Sequence, residues 1–208
     1  PALKAQTEAS VDALFQGVQA AFPDTYSGNE LTFNGVTYSK VDELAAGGNG
    51  LVLLCKTADE SKSLILKALV PNGKDISSII GGFQNEVKLH RQAMSRSLPG
   101  EVVPLHGLVR MGGRSLAMVM DLADRGTLKR VLANLSGFQF EDDKGKAISM
   151  PNKIEGLIRK HLALQVLQRV DMMQNRANIT HLDLKEDNLL VNAQGQILLA
   201  DFGTSELG

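Results

Sequence analysis

His181-Leu182-Asp183-Leu184-Lys185-Glu186-Asp187-Asn188 is followed thirteen positions after its asparagine by Asp201-Phe202-Gly203. Asp183 can accept a hydroxyl proton. Asn188, five positions on, and Asp201 supply the hard oxygen donors that one nucleotide–magnesium complex needs. The spacing between them leaves room for one β-turn-β unit: 189–192, a turn at Gln194-Gly195, and 197–200. The chemistry this pattern points to is phosphoryl transfer.

Composition narrows what can surround it. At 208 residues the chain can bury a core as one domain or as two small lobes sharing a cleft. Hydrophobic content of 43% with 22% charged residues excludes a disordered chain. A formal charge of −1 gives no electrostatic case for nucleic acid or an anionic membrane as partner. Trp is absent and aromatics are only 4%, so an aliphatic core is expected. The single cysteine, Cys55, rules out an intrachain disulfide and fits a reducing compartment; as a small hydrophobe on a strand it is expected to be buried. No apolar run approaches the roughly 20 residues needed to cross a bilayer, and no secretory signal pattern opens the chain. A soluble cytosolic chain is expected.

Two textures follow one another. Residues 2–22 carry Leu3, Val11, Leu14, Phe15, Val18 and Phe22 at helical steps, an amphipathic extension taken to residue 30. Asn34-Gly35 between β-prone flanks predicts a hairpin. Strands are predicted at 51–56, 63–69, 102–110 and 114–121, with a helix over 76–97. Residues 31–121 therefore read as a small antiparallel sheet with one inserted helix. From 122 to 208 the pattern is a short helix at 127–135, a Gly- and charge-rich connection at 136–152, a long helix over about 153–176, and short strands. In the long helix Ile154, Ile158, Leu162, Val166, Val170 and Met173 recur at near four-residue spacing.

Three features of the first part bear on phosphate. Gly47-Gly48-Asn49-Gly50 sits between two strands, where glycines let backbone amides approach phosphate oxygens, although a plain hairpin turn reads the same. Lys67, in an apolar strand, needs an anionic partner if buried. Glu86, nineteen positions later on the helix, is the natural one, and a snorkelling lysine over an exposed glutamate is the bland alternative.

Together these residues resemble the protein kinase superfamily over roughly 40–203. The resemblance implies an α+β, minimal bilobal fold: an antiparallel N-lobe sheet with one helix, and an abbreviated helical C-lobe. Gly47, Gly48, Asn49, Gly50 and Val52 match the glycine-rich loop, with Ala45 in place of its first glycine. The Lys67–Glu86 pair would hold the α- and β-phosphates of ATP. Ile65, usually a smaller residue in the family, would roof the adenine with Val52, and Leu190 would floor it. Met120 would lie at the back of the pocket, with the Asp121 carbonyl and Ala123 amide at the adenine edge. Asp183 would be the catalytic base and Lys185 would neutralise the γ-phosphoryl. Asn188 and Asp201 would bind Mg²⁺.

Leu182 replaces the arginine that in many such enzymes grips a phosphorylated activation loop, and only 204–208 follow Gly203. The activation segment and later helices are thus expected to be missing. These departures look like the HopBF family of type III-secreted bacterial effectors. That resemblance implies a constitutively active, monomeric serine/threonine kinase. It would act in a host cytosol on a host protein, the ninety-kilodalton heat-shock chaperone. A small-molecule phosphotransferase of the aminoglycoside type, a pseudokinase scaffold and a cut piece of a longer kinase are the other readings.

Overall fold

The computed structural model describes residues 13, 24–47, 50–68, 76–111, 115–135, 137–141 and 144–208. The predicted helix over 2–22, the glycine-loop tip Gly48-Asn49 and the turn at 112–114 lie outside them, apart from Ala13. The chain divides into two compact units, residues 1–88 with 104–122 and residues 89–103 with 123–208.

The first unit is a sheet of seven strands: β1 (Thr25–Ser27), β2 (Glu30–Phe33), β3 (Val36–Gly47), β4 (Gly50–Lys56), β5 (Ser63–Ala68), β6 (Leu105–Met111) and β7 (Ser115–Asp121). The Asn34-Gly35 hairpin forms as expected, with φ of 50° and 73°, the paired positive values of a type I′ turn. The sheet is not open, however. Its order is β1-β2-β3-β4-β5-β7-β6, and a short parallel pairing, Thr25 with Arg110 and Tyr26 with Met111, closes it into a barrel. The core is mainly aliphatic, as expected, with a few aromatics added in the barrel. Tyr26, Phe33 and Tyr38 join Leu31, Leu53, Leu66 and Val119 inside, because a small barrel is filled by its side chains and needs bulk. Cys55 is fully buried there, and desolvation pushes its thiol up to about 11, so it is a packing residue and a poor nucleophile. Helix α1 (Ile76–Arg96) gives this unit its residues up to Lys88, with Phe83 and Val87 buried.

In the second unit, α2 (Leu128–Leu135) and α3 (Asn152–Asp171) pack with the three-stranded sheet β13-β12-β8, built from Ile197–Leu199, Leu189–Val191 and Gly126–Thr127. Leu89, Leu162, Met172, Ile179, Leu199 and Phe202 are central to its core. The connection at 136–152 is not wholly irregular: β9 (Gln139–Glu141) and β10 (Ala147–Ser149) form a ribbon within it. A second ribbon pairs β11 (Ile179–Thr180) with β14 (Glu206–Leu207).

The long helix departs from its prediction twice. Its α geometry ends at Asp171, and a π-helical turn, Met172–Ala177, carries on until Asn178 (φ 53°) returns its N–H to the Met173 carbonyl. Its inward face is also not purely apolar. Leu162 is buried, yet so are Gln165 and Arg169, while Ile154, Leu157, Leu164 and Leu167 are exposed. The polar pair is inside because β13 offers backbone partners. Gln165 Oε1 accepts the Ile197 N–H at 2.9 Å, and Gln165 Nε2 donates to Gly195 O at 3.0 Å. Arg169 Nε donates to Ile197 O at 2.7 Å. No helix among the described residues is long and apolar enough to cross a membrane.

Candidate active site

In the first unit, strand alternation sorts the residues. Leu53, Leu64, Leu66 and Val119 point into the barrel, so Val52, Ile65, Lys67, Met118 and Met120 share the opposite face. They are cross-strand neighbours there: Val52 with Lys67, Lys67 with Met118, Ile65 with Met120. Lys67 Nζ meets Glu86 Oε1 at 2.5 Å, with both side chains about nine-tenths buried, so the pair forms as sequence spacing suggested. A buried ammonium without that carboxylate would be costly.

Gly47 and Gly50 close the β3–β4 turn opposite each other. Gly50 has φ +114°, and a Cβ there would sit 2.5 Å from the Ala68 carbonyl oxygen. Both the backbone angle and the close approach exclude a side chain. Gly50→Ala is expected to cost about 1–3 kcal/mol by denaturant unfolding, since β4 must part from β5 or absorb the strain.

Asp121, at the end of β7, takes His106 Nε2 on its carboxylate at 2.5 Å, and its N–H donates to Pro104 O.

In the second unit, Ala123 is buried and its carbonyl accepts the Gly126 N–H. Leu190, half-buried on β12, pairs with Thr127 and Leu198. The strands around it present Asp183, Lys185, Asn188 and Asp201. Lys185 Nζ lies 2.6 Å from Asp183 Oδ2. Asn188 Nδ2 donates both to that oxygen, at 3.1 Å, and to the Asp183 carbonyl, at 2.9 Å. The Lys185 hydrogen bond, helped by Asn188, holds the Asp183 carboxyl below the usual carboxylate range, and Asp183 in turn raises Lys185.

With its amide hydrogens committed to Asp183, Asn188 keeps its Oδ1 as an acceptor. Asp201 sits at φ +62°, and its Oδ1 accepts the Gly203 N–H at 3.4 Å. Among the described residues no three His, Cys, Asp or Glu side chains converge on one point. One amide oxygen and one carboxylate are, however, the sparse protein share that Mg²⁺ takes when phosphates and water complete its shell. The donor set fits that ion.

A model described as the protein kinase domain matches residues 38–207. The chain belongs to that family. Its members transfer phosphoryl groups from ATP with Mg²⁺, and this kinase domain carries an antiparallel N-terminal sheet and a small helical complement of that kind.

Sequence reading passed over what holds the kinase domain's Asp201 segment. Phe202 is fully buried between two imidazoles, His90 at 4.9 Å and His181 at 5.6 Å between ring centroids. His90 Nε2 donates to Val103 O and His181 Nε2 to Ala200 O. The His181 carbonyl collects the Asp183 N–H and the hydroxyls of Thr204 and Ser205. His90 had a signal: it lies one helical turn after Glu86.

Proposed function

We propose that this kinase domain is a serine/threonine protein kinase of the HopBF effector kind, delivered by type III secretion and acting as a monomer in a host cytosol. Its substrate on that reading is a hydroxyl of a host protein, the ninety-kilodalton heat-shock chaperone. The observation that carries phosphotransfer is the Asp183 carboxylate, hydrogen-bonded by both Lys185 and Asn188. Asp183 accepts the hydroxyl proton as the oxygen bonds to the γ-phosphorus of ATP, and the bond to the bridging oxygen breaks to release ADP. Lys185 offsets charge on the transferring group, and Lys67, ordered by Glu86, takes the α- and β-phosphates. Asn188 and Asp201 would hold Mg²⁺, which when bound neutralises phosphate charge. Leu182 in the arginine position, 61% exposed, supports activity that does not depend on a phosphorylated loop.

The protein with γ-labelled ATP and host lysate tests this. A labelled chaperone band supports the whole reading. Labelled serine or threonine on other proteins keeps the kinase and removes the chaperone. Label only in a small metabolite replaces the protein kinase with a small-molecule phosphotransferase.

The pH profile offers a second test. Asp183 works as the carboxylate, so activity is present above its pKa and lost as pH falls through it. Lys185→Met removes the bond that lowers that pKa, and the acid limb of kcat/KM should move to higher pH, beyond any loss of kcat. An unmoved limb would show that Lys185 does not set the ionisation of Asp183.

A further inference from the structure

A cavity of about 640 Å³ lies within the second unit, between the end of α1 and the π-helical turn. Arg91, Gln92, Ser95 and Arg96 line it from α1, a pattern of i and i+4 pairs that places all four on one helix face. Arg176 and Asn178 line it from the turn. Among the described residues three guanidinium groups reach this lining and no carboxylate does.

The bland explanation is that basic residues near the end of a helix complement its dipole. It accounts for Arg96 but not for Arg176, which comes from another element. Among the described residues Arg176 Nη2 holds Glu101 from the side, at 2.6 and 2.7 Å. Glu101 is already shared with the buried Arg169 at 3.1 Å, so a single carboxylate serves two guanidiniums. Only Nη2 of Arg176 is engaged this way; its Nε and Nη1 donate no hydrogen bond among the described residues. Arg96 makes no ion pair among the described residues. The frame is pre-organised, since Gln92 Nε2 donates to Ala177 O at 2.7 Å and ties the two elements together.

We infer that this cavity is a binding site for a phosphate dianion, either inorganic phosphate or the phosphomonoester of a phosphorylated side chain. Planar guanidinium forks from separate elements match tetrahedral oxygens, and charge-assisted bonds of this type are the strong ones. A nucleic-acid backbone fits less well: the protein's formal charge is −1, and the arginines surround one concavity instead of forming a stripe.

The test is binding, which does not require phosphotransfer. A fluorescent phosphoserine peptide of otherwise neutral sequence, its unphosphorylated twin and sodium phosphate are titrated against the full chain, with a non-hydrolysable ATP analogue present to occupy nucleotide-binding groups. The phosphopeptide should bind at least tenfold tighter than its twin and be displaced by sodium phosphate. Arg91→Ala and Arg96→Ala should each weaken it about tenfold, with Arg96→Lys recovering part. If calorimetry shows sodium phosphate bound and lost in Arg96→Ala while the peptides do not differ, the ligand is the free ion and the site stands. No binding of either probe overturns the inference. So does binding unchanged in an Arg91→Ala/Arg96→Ala double variant that unfolds like the parent, or binding of anionic vesicles or RNA with the phosphate probes silent. An inactive chain that binds phosphate would overturn only the kinase reading, and an active chain that does not would overturn only this one.

Discussion

Asp183→Ala is expected to lower the turnover of phosphotransfer by about 10²–10⁴-fold, the range a positioned proton acceptor contributes. The fold should survive. The carboxylate is solvent-facing, and the loop shape depends on backbone bonds that the variant keeps: Asp183 N–H to His181 O, Asn188 Nδ2 to Asp183 O, and Asn188 N–H to Lys185 O. Denaturant midpoints should therefore differ by no more than a surface substitution gives, within about 0.5 kcal/mol. Asp183→Asn separates the two roles of the side chain, since an amide retains the shape and cannot take the proton. Turnover of either variant near that of the parent would mean the hydroxyl proton goes elsewhere, and the assignment of Asp183 would fall.

The largest stability effect is expected away from the chemistry, at Glu101→Ala. The carboxylate is some nine-tenths buried, holds Arg169 and Arg176, and accepts the Leu98 N–H at 2.7 Å. Removing it leaves the Arg169 guanidinium buried with no carboxylate in reach among the described residues, a situation that costs about 3–5 kcal/mol. Burial already pushes Arg169 below its ordinary pKa against the opposing pull of Glu101. A drop in denaturant midpoint at unchanged slope would measure the loss. Glu101→Leu combined with Arg169→Met should recover much of it, because neither charge is then left unpaired. A single-variant effect below about 1 kcal/mol would show that water reaches Arg169.

The parts of this molecule that could be read from sequence are those set by short-range spacing. Asp183, Lys185 and Asn188 lie within one loop, and the hairpin that returns to Asp201 is as short as the intervening residues allow. Lys67 and Glu86 were legible because a lysine in an apolar strand demands a partner. Barrel closure was not, since a two-residue parallel pairing between Tyr26 and Met111 joins segments far apart in the chain and leaves no pattern in either. The inward turn of Gln165 and Arg169 was hidden for a similar reason: apolar periodicity finds the helix, but only the Ile197 backbone and the Gly195 carbonyl make a polar face worth burying. The π-helical turn lay beyond a four-residue rhythm that continued through it unchanged.

The closed barrel also bears on how this protein behaves in a crowded solution. The rim of a sheet ordinarily offers a row of unpaired N–H and C=O groups on which another chain can add a strand, the first step toward aggregation. Here β1 pairs with β2 on one side and β6 on the other, so that template is capped at its most regular stretch. Hydrogen bonding within the first unit thus removes one route to strand addition there, in a chain whose formal net charge is only −1.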